Sequence, residues 1–210
     1  MNKFLFGPPL ANKLQSLIGL SFLKLTGWEA VGNVPDTPKF VMLMAPHTSN
    51  WDFFIILAIL YVLGIKFCWF GKKEIFRWPI RNLSKWLGGI PVDRSLKQNM
   101  VQQIVEIIKS REQIIVGISP EGTRSNAKYW KTGFYYIACQ AQIPIIFAFL
   151  DYGRKTGGLG PILNPTGDIE ADMIIIRQFY SGITAKYPDN YGNIVVKPPL
   201  NNEDRSQKSS

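Results

Sequence analysis

Short apolar runs alternate with segments of helical period along most of the chain. Residues 40–45, 65–70, 90–92, 113–118 and 144–150 are compact stretches bounded by Pro, Gly or charge, the pattern of buried strands. Residues 53–63, 96–110, 134–141 and 169–180 have the length and apolar spacing of helices. In 96–110 that spacing puts Met100, Ile104, Ile107 and Ile108 on one buried side. Upstream, residues 10–25 put Leu10, Leu14, Leu17, Ile18 and Leu25 on one face of an amphipathic helix. That face suits packing on the core or contact with a membrane, and its polar side carries little charge. The segment 72–87 is basic and aromatic and is broken by Pro79, while the glycine-rich segment 153–160 reads as a hairpin. Strands separated by helices predict an α/β fold: a single domain with a mostly parallel sheet flanked by helices. The layout is an N-terminal amphipathic helix in 1–30, one main domain in 31–200 and a polar, disordered tail in 201–210.

Ligands of such sheets gather at the carboxyl ends of strands, and this chain puts its chemistry there. The stretch Ala45-Pro46-His47-Thr48-Ser49-Asn50-Trp51-Asp52 holds the only histidine and follows the strand 40–45. A helix beginning before His47 would turn the His47 and Asp52 side chains about 140° apart, so His47 belongs in a loop. With Ser49 as N-cap, Asp52 falls at N3, close enough to accept the ring N–H of His47. Asp52 then orients the imidazole and leaves its other nitrogen free to take a proton. Two plainer readings stand beside this one: Asp52 as an acidic first-turn residue favoured by the helix dipole, and His47 as a loop histidine. Glu121-Gly122-Thr123-Arg124 ends another strand, and its glycine permits a tight turn while the arginine fork suits a phosphate. It also suits a turn with a surface ion pair, and Lys72 and Arg94, near two further strand ends, also read as solvated charges.

Composition changes the picture in three ways. A length of 210 residues with 46% hydrophobic and 13% aromatic residues supports a large single core. No window has the 18 or more apolar residues of a spanning helix; residues 53–65 rise only about 20 Å against a hydrocarbon core of roughly 30 Å. The first residues lack the apolar region and small-residue cleavage site of a secretion signal. A net charge of +9 calls for an acidic partner, and with six Trp and eight Tyr it fits an anionic lipid surface better than nucleic acid, for which no motif is present. Cys68 and Cys139 match no metal or redox spacing and read as reduced core residues.

Taken together, these blocks resemble the glycerolipid acyltransferase family, whose best-known member is the bacterial 1-acyl-glycerol-3-phosphate acyltransferase. The family's His-x4-Asp block corresponds to His47 through Asp52. Its second block is similar to Gly89-Ile90-Pro91-Val92-Asp93-Arg94, preceded by Lys72-Lys73-Glu74. The third resembles Pro120-Glu121-Gly122-Thr123-Arg124-Ser125, and a weaker fourth Ile143-Pro144-Ile145-Ile146. All four come in the family's order over residues 40–150. Pro46 stands where the family usually has Asn, and Ser119 where it usually has an aromatic residue.

The resemblance implies that 31–200 is an acyltransferase domain of glycerol-phosphate acyltransferase-like fold. It implies transfer of a fatty acyl group from an acyl-CoA or acyl carrier protein thioester to a lysophospholipid hydroxyl in phospholipid biosynthesis. The acceptor most in keeping with it is 1-acyl-glycerol-3-phosphate. His47 would be the base and Asp52 its orienting acid. Lys72, Arg94 and Arg124 would hold the acceptor phosphate, with Glu121 and Gly122 shaping the pocket. An oxyanion hole is expected from backbone N–H groups near the His47 loop. No cofactor or metal is implied beyond the acyl thioester donor, and the protein is expected in the cytoplasm, peripheral on the inner membrane face. Two other readings remain. A lipid hydrolase would use Ser49 or another serine with His47 and Asp52, though no Gly-x-Ser-x-Gly elbow occurs. A non-catalytic peripheral lipid-binding protein would need neither His47 nor Asp52.

Overall fold

The computed structural model describes residues 13–92 and 100–197. In chain order its elements are α1 (Lys13–Thr26), β1 (Glu29–Val31), β2 (Lys39–Met44), α2 (Trp51–Val62), β3 (Cys68–Lys72), α3 (Arg81–Trp86), β4 (Gly89–Val92), α4 (Met100–Lys109), β5 (Ile114–Ile118), α5 (Gly133–Ala141), β6 (Ile145–Asp151), β7 (Thr156–Leu163) and α6 (Ile169–Tyr180). The strands form one sheet in the order β1-β7-β6-β2-β5-β3-β4. From β6 to β4 every neighbouring pair is parallel, with Leu43 opposite Ile118 and Met44 opposite Ala148. β7 runs antiparallel to β6, and β1 pairs parallel with β7. The carboxyl ends of β2, β3, β4, β5 and β6 therefore share one edge, which gathers loops far apart in sequence.

Both faces of the sheet are covered, which is why its strands are apolar at successive positions rather than alternately. Val41, Leu43, Val116, Ile145 and Phe147 face one cluster with α4, α5 and α6. Phe40, Met42, Ile115, Ile146 and Ala148 face the other, with α1 and α2. Each of these side chains other than Ala148 contributes on the order of 1.5–3 kcal/mol when fully buried.

Four local expectations change. α1 packs on α2 through Gln15, Gly19 and Leu23 rather than through its leucine-rich face. A Cβ on Gly19 would lie 2.6 Å from the Ala58 carbonyl oxygen, so the backbones approach closely only because glycine is there. Leu14, Leu17, Ile18 and Leu25 are left outward, Leu25 at 88% exposure, and Leu10 lies outside the described residues. The hairpin turn is confined to residues 152–155, because Gly157 to Gly160 continue into β7. There a Cβ on Gly158 would meet the Val31 oxygen at 1.8 Å, which is how β1, a strand without its own apolar run, docks at the edge. The segment 72–87 holds a 3-10 turn, Lys73–Phe76, followed by α3. Finally, α2 begins one residue later than expected, with Asn50 as N-cap and Asp52 at N2 rather than N3. Ser49 still makes cap bonds: its hydroxyl oxygen accepts the Trp51 N–H at 3.1 Å, and the Asp52 carboxylate reaches back to accept its N–H at 2.8 Å. The start of the helix expected over 96–110 and the tail at 201–210 lie outside the described residues.

Candidate active site

The chain leaves β2 through Ala45, Pro46 and His47 and turns at once into α2. Asp52, on the first turn of α2, is 3% exposed and makes four polar contacts. Its Oδ2 accepts the backbone N–H groups of Thr48 and Ser49, each at 2.8 Å, and lies 3.3 Å from His47 Nδ1. Its Oδ1 accepts the Tyr152 hydroxyl at 2.6 Å. Burial pushes the Asp52 pKa up, but hydrogen bonds from His47, Tyr152 and Ser49 outweigh it and hold the group below the usual carboxylate range. A buried anion with both oxygens engaged has no freedom to rotate, so the imidazole facing it is held in one orientation with Nε2 turned away.

Glu121, after β5, closes the other side of the loop. Its Oε1 accepts the His47 backbone N–H at 3.0 Å and its Oε2 the Ser119 hydroxyl at 2.8 Å. Burial raises its pKa above the ordinary value, more than its hydrogen bonds lower it. Glu121 thus grips the backbone of the His47 loop, and Ser119, which stands where an aromatic residue was usual, supplies its second donor. Arg124 is exposed and donates from Nη1 to the Asn50 Oδ1 at the start of α2. Gly122 takes a φ of +63°, the left-handed conformation the turn between Glu121 and Arg124 requires. The structure therefore brings His47, Asp52, Glu121, Gly122 and Arg124 to one edge. Lys72 ends β3 on that edge, paired with Val92 of β4, but β5 separates it from β2. Arg94 lies outside the described residues.

Sequence reasoning missed two residues of this site. Tyr152 follows β6, where Asp151 Oδ1 accepts the N–H groups of Gly153 and Arg154 and closes the turn that points the tyrosine at Asp52. Burial first, and then the Asp52 carboxylate, push the Tyr152 pKa far up, so its hydroxyl keeps its proton. Its ring meets Trp28 edge-on at 4.8 Å between centroids. Applying the strand-end rule one residue beyond β6 would have found it. Lys186 carries no such signal: its ammonium lies 5.7 Å from the Trp51 ring centre, 5.9 Å from Tyr152 and 5.6 Å from Tyr187. The Tyr187 N–H donates to Thr48 Oγ1 at 3.3 Å, laying this late segment against the His47 loop.

A cleft of about 70 Å³ opens beside the dyad, with His47, Asp52 and Ser119 on one wall and Phe53, Ile56 and Phe149 among the apolar residues on the others. Its volume is about that of two water molecules, enough for a reacting carbonyl group. The backbone N–H groups of His47, Thr48 and Ser49 are all taken by Glu121 and Asp52. These three groups hold the carboxylates that hold the histidine, so an oxyanion hole near the loop would have to draw on other N–H groups. Among the described residues no group of three or more His, Cys, Asp or Glu could hold a metal ion.

A histidine gripped by a buried carboxylate at the carboxyl edge of a mostly parallel sheet is an arrangement that can take up a proton, in an α/β protein. Residues 29–148 match the family described as Acyltransferase, and the chain belongs to that acyltransferase family. It is similar to mouse 1-acyl-sn-glycerol-3-phosphate acyltransferase alpha, at 29% identity over 118 residues, 53% of this chain and 40% of that protein. It is also similar to an uncharacterized acyltransferase of Schizosaccharomyces pombe, at 30% identity over 125 residues, 55% of this chain and 44% of that one. The aligned stretch thus spans less than half of either relative. Its fold is that of the 1-acyl-sn-glycerophosphate acyltransferase PlsC of Thermotoga maritima, with a TM-score of 0.55 at 18% identity over 83% of this chain and 81% of that structure. Tyr152 and Lys186 lie beyond the matched region.

Proposed function

We propose that this protein transfers a fatty acyl group from an acyl-CoA or acyl carrier protein thioester to a lysophospholipid hydroxyl, with 1-acyl-glycerol-3-phosphate as the acceptor. The observation that carries the reading is the 3.3 Å approach of His47 Nδ1 to a buried, fully engaged Asp52. Nε2 takes the proton from the acceptor hydroxyl as its oxygen bonds to the thioester carbonyl carbon. The tetrahedral intermediate then expels the thiolate, which recovers the proton from His47, so no acyl-enzyme forms. Base assistance of this kind is worth about 10² to 10⁴ in rate. Arg124 at the start of α2 holds the acceptor phosphate, with Lys72 and Arg94 as the further basic contacts of the family pattern.

A hydrolytic triad with either nearby serine is disfavoured. The Ser49 hydroxyl oxygen accepts the Trp51 N–H at 3.1 Å, and the Ser119 hydroxyl gives its proton to Glu121. Incubating purified protein with acyl-CoA and a panel of lysolipids, with products identified by mass, tests the reading. A diacyl product from lysophosphatidate supports it; release of free fatty acid from every mixture sinks it.

The protein acts from the cytoplasmic face of an anionic membrane, bound peripherally. The +9 charge supports this, as do the outward leucines of α1; among the described residues no helix is long and apolar enough to cross a membrane. Part of the attraction is electrostatic, about 1 kcal/mol per basic residue near the surface, so salt releases some of the bound protein. Flotation with anionic vesicles in low and high salt measures it.

Tyr152→Phe keeps the ring on Trp28 and deletes only the hydroxyl. Losing a hydrogen bond to a charged group costs about 1.5 kcal/mol or more, so kcat falls roughly tenfold while KM for either substrate holds. A carboxylate one donor short is held less far below the usual range, so the acid limb of the rate profile that reports Asp52 moves to higher pH. An unmoved limb would reduce Tyr152 to a packing residue.

A further inference from the structure

The basic, aromatic segment 77–86 has no part in the chemistry above, and its exposure is unusual. Trp78 is 90% exposed and Trp86 61%, with Ile80 at 49% and Leu83 at 55% between them. α3 is nevertheless firmly seated from below. Gly71 and Gly89 lack the Cβ that would press on Phe76, at 3.0 and 2.8 Å, and on Gly89 it would lie 2.7 Å from the Ser84 oxygen. Phe76 stacks on Trp69 at 5.8 Å, and Trp69 packs in the cluster of α1 and α2. α3 therefore lies on the same face of the sheet as α1 and α2, and its apolar side chains point away from the sheet.

We propose that residues 77–86 form an interfacial wedge that enters the headgroup region of an anionic bilayer leaflet, separate from the contact made by α1. The inference rests on the peripheral membrane reading above and assigns it a second element. Three features select a bilayer as the occupant. Arg77, Arg81 and Lys85 alternate with the four apolar residues, the mixture that suits a phosphate layer over acyl chains. Trp is the side chain that favours the membrane–water boundary. The outward apolar residues of α1 lie in the same layer, and a chain of ring contacts joins the mouth of the site to the 3-10 turn that leads into this segment: Trp51 with Phe54, Phe54 with Phe53, Phe53 with Trp69 and Trp69 with Phe76. A second copy of the chain packed here about a twofold axis would set Arg77, Arg81 and Lys85 against a like-charged patch, and protein interfaces deplete charge at their cores.

The test compares the full chain with a Trp78→Ser/Trp86→Ser variant in binding to vesicles of phosphatidylcholine and phosphatidylglycerol. Both side chains are exposed, so matched circular dichroism is expected. The variant should partition at least about tenfold more weakly, since interfacial binding scales with the apolar area buried. Acyl transfer to a water-soluble, short-chain acceptor should be unchanged. Brominated lipid should quench tryptophan emission in the parent and quench a smaller share of it in the variant. If the parent fails to bind at all, the membrane reading falls and takes this inference with it. A parent that binds with a variant that binds as tightly overturns the wedge alone and leaves α1 as the contact. Unchanged vesicle binding with a lost affinity for an acidic acyl carrier protein would overturn it too, giving the surface to the donor.

Discussion

Replacing His47 by alanine lowers acyl transfer at least about hundredfold, the lower bound for loss of a positioned general base. The substitution leaves the loop intact, because the loop is held by backbone N–H groups: His47 N–H to Glu121, and Thr48 and Ser49 N–H to Asp52. The imidazole is itself part-exposed, so its removal opens no sealed cavity. No other histidine exists in the chain to substitute for it. Asp52→Asn should lose an equal amount or less. The amide can still accept Thr48 and Ser49 N–H groups through its oxygen, but it carries no charge to favour the imidazolium as the proton arrives. The measurement is release of free thiol from acyl-CoA in the presence of lysophosphatidate, with thermal melting as the control for folding. A folded His47→Ala protein that keeps most of its turnover would remove the proposed mechanism.

Arg124→Gln should lose on the order of 10 to 10² in kcat/KM for lysophosphatidate and much less for monoacylglycerol. A hydrogen bond to a charged group contributes about 1.5–3 kcal/mol, and only the phosphorylated acceptor offers one. The contact between Arg124 and Asn50 sets up a competing account, in which the arginine acts by steadying the start of α2. Asn50→Ala separates the two. It removes that contact while leaving the guanidinium free to meet a phosphate, so it should spare the preference for the phosphorylated acceptor. Equal losses on both acceptors, in both variants, would make Arg124 a loop-holding residue and put the phosphate contact elsewhere.

Much of the fold was legible because burial on both faces leaves unbroken apolar runs, which mark β2, β5 and β6 without any knowledge of their neighbours. The pairing of His47 with Asp52 was legible for a related reason: five residues that cross from a strand end to a helix start have few ways to run. The N-cap shifted by one position, yet the bonds expected of a helix started by Ser49 are present: the Ser49 hydroxyl accepts the Trp51 N–H and the Asp52 carboxylate accepts the Ser49 N–H. The face of α1 was misread for want of a partner. Its leucine stripe is the stronger periodic signal, yet Gly19 allows a backbone approach to Ala58 that the leucines could not make.

By itself the sequence determined most of the elements, though not β1 or α3, together with the His47 to Asp52 and Glu121 to Arg124 blocks and the family to which they belong, since these are encoded in local spacing. Tertiary structure decided which strand ends meet. β2 lies between β5 and β6, so Glu121, 74 residues from His47, and Tyr152, 100 residues from Asp52, close on the same loop from opposite sides. Lys72, nearer in sequence, is kept a strand away. Strand order is set by the packing of two helical layers on the sheet, and no local pattern of apolar and polar residues carries that information.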